Sequence, residues 1–144
     1  MKSATQIAVC FLLLLAASAW ANPAAVEGTW LSGDGDGLVA VRMIGSEISA
    51  TLLGSPNKDP GRAKTDVKNP APALRDRALV GLELFSGFHY DGDGEWSGGQ
   101  IYDPNSGKTY SCKLRLLDRN TLKVRGFIGI SLIGRTETWR RQLD

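Results

Sequence analysis

The sequence has few of the residues that do chemistry. It contains two cysteines and one histidine in 144 residues, so a histidine-rich zinc site is excluded by count. No serine or cysteine has a sequence context that pairs it with His89 for nucleophilic catalysis. A glycine-rich loop followed by Lys-Ser or Lys-Thr, which would cradle phosphates, is also lacking. Charge of one sign is scarce: the formal net charge is +2. That balance gives no global electrostatic reason to expect nucleic acid or an anionic membrane as partner. Beyond the first residues, no capped ten-residue helical period appears.

What is present begins with an export pattern. Lys2 is a lone positive charge, residues 7–17 are almost wholly apolar, and Ala19-Trp20-Ala21 supplies the small-residue cleavage pattern. The sequence therefore predicts a signal peptide over residues 1–21, cut after Ala21, with Ala19 as the other acceptable cut. The apolar run falls short of the ~20 residues that span a bilayer, so no stable membrane anchor is expected. Cys10 lies inside that run rather than directly after the cut, which argues against lipidation. Residues 22–144 are expected to form one periplasmic or secreted domain.

The leader removes Cys10 and Lys2, so the remaining chain keeps Cys112 alone and a net charge one unit lower. An exported domain with one cysteine has no internal disulfide, and packing must hold it together. Cys112 alternates with Tyr110, Leu114 and Leu116 on the apolar side of a strand pattern, which predicts a buried, unreactive thiol.

Period-two segments separated by turn residues run through the rest. Strands are predicted at 26–31, 38–44, 47–53, 80–85, 88–90, 95–102, 108–117, 121–130 and 135–142. Residues 54–77, with Pro56, Pro60, Pro70 and Pro72, read as one long surface loop with a helical turn near 73–77. A loop of this length is expected to be functional or mobile. A long antiparallel meander without helices to cover it closes most economically on itself. The expected fold is all-β, an up-and-down barrel of about eight to nine strands.

Two Asp-Gly-Asp-Gly segments, at residues 34–37 and 91–94, invite a calcium reading. Neither has ligands at the positions an EF-hand loop requires, and both lie between strands, where Asp-Gly favours tight turns. Glu83 and Glu95 are the carboxylates weighed as a hydrolytic pair, with His89 as an alternative base. Trp30, Trp96 and Trp139 read as core fillers or as pocket walls. No metal and no cofactor is expected.

Several blocks together resemble a known family. They are Gly28-Thr29-Trp30, Asp66-Val67-Lys68-Asn69-Pro70, residues 96–104 with Gly107-Lys108-Thr109-Tyr110, and residues 124–139 ending at Trp139. The chain is similar over 28–141 to bacterial exported lipocalin-like (calycin-type) proteins classed as a domain of unknown function. That resemblance implies a barrel end closed by Trp30 against a last-strand cation, for which Arg135 and Arg140 are the candidates.

The expected function is carriage of a small apolar or amphipathic ligand in the cell envelope. Trp96, Tyr102, Tyr110, Phe88 and His89 are its candidate lining, and Asp66, Asn69 and Pro70 its rim. A solid barrel docking an envelope protein is the alternative, and a hydrolase the remotest reading.

Overall fold

The computed structural model describes residues 22–56 and 63–143; the expected signal peptide lies outside them. Nine antiparallel strands form one sheet: β1 (Gly28–Leu31), β2 (Leu38–Ile44), β3 (Glu47–Gly54), β4 (Phe85–Ser86), β5 (His89–Gly92), β6 (Glu95–Asp103), β7 (Lys108–Asp118), β8 (Thr121–Phe127) and β9 (Gly134–Gln142). The order is β3-β2-β1-β9-β8-β7-β6-β4, with β5 paired to β6. The first and last strands are thus neighbours, as barrel closure requires.

The remaining seam, between β3 and β6, is joined by the segment just before β4. Leu52 N donates to Leu82 O at 2.9 Å and Leu84 N to Ala50 O at 2.7 Å on one side. Tyr102 N donates to Leu84 O at 2.9 Å on the other. The strand predicted over 80–85 therefore exists mostly as this bridging segment, and only its last residue belongs to β4. Pairing both neighbours covers most of the strand edge at this seam.

Period-two burial follows the predicted alternation. Val39, Val41, Ile48 and Ala50 are buried on the inner side of β2 and β3, while Cys112, Leu114 and Leu116 are buried on β7. Between β5 and β6, Asp93 (φ 52°) and Gly94 (φ 74°) both take positive φ, the conformation for which Asp-Gly was read as a turn. The predicted helical turn near 73–77 is a single 3-10 turn at Pro72–Leu74. The eighth strand is shorter than predicted: it stops at Phe127, and residues 128–130 belong to the following loop.

Candidate functional site

The two ends of the barrel differ. At one end, Trp30 is fully buried and its indole Nε1 donates to Val26 O at 2.9 Å. The Arg141 guanidinium carbon sits 4.3 Å from the Trp30 ring centroid. Its Nη2 donates to Ala25 O at 2.8 Å, and its other nitrogens donate to the carbonyl oxygens of Glu27 and Arg119. One cation thus ties the 3-10 turn Pro23–Val26, the start of β1 and the β7–β8 turn to the last strand. Burial, and then the charge of Arg119, lowers the Arg141 pKa from its ordinary value.

This corrects the expectation of Arg135 or Arg140 in that role. Trp30 lies directly opposite Arg141 in the β1–β9 ladder. Arg140 points to the other face, where Nη1 donates to Thr121 Oγ1 at 2.8 Å. Arg135 shares the inner face but stands at the far end of β9, largely exposed. The alternation from buried Trp139 to Arg141 carried the signal.

The other end is open. A cavity of about 1110 Å³ extends inward between the loops at residues 32–37, 54–55, 78–80, 103–105 and 128–133. Val39, Leu84, Ile101, Val124 and Trp139 supply its apolar wall. Trp139 stacks on Phe85 at 5.6 Å and 20°, and Phe85 touches Phe88 at 5.2 Å, so an aromatic layer separates the cavity from the packed end. Gly126 keeps the wall thin: a Cβ there would meet Tyr110 and Ile101 only at ordinary contact distance.

Asp34, Asp36, Lys64, Asp103 and Asn105 make the mouth polar, while polar groups deeper in the wall are few. Glu137 lies opposite Val124 in the ladder and so faces inward. Its Oε2 accepts from Trp139 Nε1 at 3.3 Å, and Oε1 is 3.9 Å from Arg135 Nη2. Tyr102 and Tyr110 add two phenols.

One side of the mouth is built by the long loop, which a buried network holds in place. Asp66 is fully buried. Its Oδ1 accepts from Tyr102 Oη at 2.5 Å, and its Oδ2 from Asn69 Nδ2 and Arg77 Nε, both at 2.8 Å. Burial alone would raise the Asp66 pKa, but the three donors and the Arg77 charge outweigh it and hold the carboxyl below its usual range. Burial and the adjacent Asp66 push the Tyr102 phenol up, keeping it a proton donor. Asn69 Oδ1 accepts from Ala71 N at 2.8 Å, and Lys68 Nζ donates to Asn105 O at 2.7 Å. Gly107 (φ 72°) lies so close that a Cβ would overlap the Lys68 carbonyl oxygen.

The predicted lining residues therefore divide. Tyr102 and Tyr110 line the cavity. Phe88 is buried in the aromatic layer beneath it, and Trp96 is buried against Tyr90 at 5.0 Å, so neither reaches the cavity. His89 is exposed and also lies outside the lining. Asp66 and Asn69 act from behind the wall through Tyr102, and Pro70 is exposed beside them. Glu83 and Glu95 are exposed; Glu83 accepts from Ser49 Oγ at 3.2 Å, and Glu95 pairs with Arg115 at 3.2 Å. Sequence reasoning missed Glu137, Gly126 and the 128–133 loop. The two-residue step back from Trp139 pointed to Glu137, whereas Ile128, Ile130 and Leu132 alternate with Gly129 and Ser131 as in a strand, so local pattern did not mark 128–133 as a loop.

Comparison with known proteins agrees with the fold. Protein HP1028 from the human pathogen Helicobacter pylori, described as belonging to the lipocalin family, is similar in structure. The TM-score is 0.75 at 24% identity, covering 82% of this chain and 83% of that one. No curated protein matches the chain. The family model described as "Uncharacterized protein conserved in bacteria (DUF2147)" matches residues 28–141. With its lipocalin-like barrel, the chain belongs to the bacterial DUF2147 family.

Proposed function

We propose that this protein is an envelope carrier that holds one small amphipathic molecule in the open half of its barrel. The cavity carries the reading. At about 1110 Å³, it is just above the usual ~300–1,000 Å³ for ligand sites. Side chains could have filled a barrel of this strand number; Gly126 and the small set of wall residues leave it open instead. The apolar part of the ligand lies against Val39, Leu84, Ile101 and Trp139, and its polar end meets Glu137, Arg135 and the phenols near the mouth. The export pattern of residues 1–21 supports an envelope location.

The test uses cis-parinaric acid, a fluorescent amphiphile, with the protein and its Gly126→Leu variant. Gly126 does not have positive φ, so leucine is accommodated by the backbone and projects into the cavity. Saturable binding that weakens at least tenfold in the variant, with unchanged thermal unfolding, supports carriage. Binding unaffected by Gly126→Leu, or no saturable binding together with native mass spectra free of any co-purified molecule, overturns it.

A further inference from the structure

The loop joining β8 to β9 is unusual for a soluble surface. Within six residues, Ile128, Ile130, Leu132 and Ile133 are 67%, 58%, 85% and 69% exposed. Residues 128–133 contain no charged side chain. Single exposed aliphatics are ordinary, but a contiguous cluster marks a surface that meets another apolar phase. We infer that this loop is a membrane-docking tip, which inserts its aliphatic side chains into the interface of a bilayer containing anionic phospholipid. The inference holds whether or not the cavity carries a ligand.

Three observations choose a bilayer over a protein. The exposures describe a protruding tip rather than a flat face, a shape suited to insertion among lipid headgroups. The loop also satisfies backbone oxygens from within. Arg125 Nε and Nη2 donate to Ser131 O at 2.8 and 2.5 Å, and Ile133 N donates to Ile130 O at 3.1 Å. Bonded carbonyls lower the cost of moving a loop out of water.

The charge distribution supplies the third. On the outer wall below the tip, Lys113 is directly opposite Arg125, and Arg115 opposite Lys123. Like charges facing across a ladder destabilise it. Glu95 offsets this for Arg115, with which it pairs at 3.2 Å, whereas Lys113 and Arg125 have no acid opposite them in the ladder. Basic groups beside an inserted apolar tip add attraction to an anionic surface, each worth a modest amount and screened by salt. Asp34 and Asp36 on the β1–β2 loop and Asp103 on the β6–β7 turn put acids on the mouth to either side of the tip, so the attraction comes from the outer β7–β8 wall. A small net charge conceals this asymmetry. Ile128 and Ile133 also line the cavity mouth, so docking brings the opening to the lipid.

The experiment is sedimentation of the protein with vesicles of phosphatidylcholine plus phosphatidylglycerol, and of phosphatidylcholine alone. Binding to the mixed vesicles is expected, weaker on the neutral ones and reduced by added salt. Ile130→Ser/Leu132→Ser, at two positions outside the cavity lining, should weaken it at least tenfold with no change in thermal unfolding. Lys113→Glu should weaken it several-fold on the mixed vesicles only. In Leu132→Trp, indole emission should shift to the blue when vesicles are added. Absence of co-sedimentation, equal sedimentation of the double-serine variant, or an unshifted emission overturns the inference. So does a dimer that the double-serine variant converts to monomer without any vesicle binding, since the tip would then be a contact between copies.

Discussion

The Arg141 guanidinium lies over the Trp30 ring at 4.3 Å and donates to three backbone carbonyls from separate segments. It joins a cation–π contact, worth about 0.5–2 kcal/mol, to carbonyls that cost about 1–3 kcal/mol when left buried without a donor. Arg141→Ala is therefore expected to lose about 2–4 kcal/mol in urea unfolding. Arg141→Lys should recover only part, because an ammonium lacks the planar fork that reaches several carbonyls. Arg140→Ala, on the opposite face, should lose less than about 1 kcal/mol. Equal losses at Arg140 and Arg141 would remove the assignment.

The Asp66–Tyr102 pair makes the long loop sensitive to pH at both extremes. Asp66 has a lowered pKa in the folded protein, so its contribution is present above the unfolded value of about 4. It is lost as pH falls through the folded value. Tyr102 has a raised pKa, so its contribution is present below about 10 and lost as pH rises through the folded value. Hydrogen exchange in residues 64–79 should be slow between these limits and accelerate outside them. Asp66→Asn should abolish the acid limb and cost about 2–4 kcal/mol, since Arg77 loses its buried carboxylate partner. An unchanged acid limb in that variant would contradict the network.

Gly99 makes room for an aromatic ring. A Cβ at this position would overlap the Phe88 ring, and the residue does not have positive φ, so the constraint is steric rather than conformational. Gly99→Ala should lose about 1–3 kcal/mol by overpacking. Combining it with Phe88→Leu should be less damaging than the sum of the two single changes, because they act on the same space. Strict additivity in a double-mutant cycle would show that the contact carries no energy.

Cys112 should be chemically silent in the folded protein. It is buried, and that burial pushes its thiol up to about 12. Only the thiolate reacts with alkylating reagents. Iodoacetamide at pH 8 should label the protein in urea and leave it unlabelled without urea. Rapid native labelling would mean that β7 opens far more often than its packing allows.

Much of the barrel is local information. Alternation along β2, β3, β6 and β7 assigns each side chain to a face before any partner strand is known, since successive residues of a strand must point oppositely. That is why the buried side of Cys112, the Asp93-Gly94 turn and the strand limits at 38–44 are legible from the chain. The same rule, applied to the last strand, would have selected Arg141 over Arg140. It fails at the segment before β4, where pairing is divided between two neighbours and no regular strand results.

The sequence by itself determined that this is an all-β chain with an outward and an inward face on each strand, because period and turn chemistry are properties of adjacent residues. Only the tertiary structure decided that one end is sealed by Trp30 and Arg141 and the other left open above Trp139. It also decided that Asp66 acts through Tyr102, and that the aliphatic run after Phe127 is presented to the outside. The sealed end and the Asp66–Tyr102 contact depend on groups 36 to 116 positions apart in the chain, whose meeting is set by barrel closure and register rather than by local pattern.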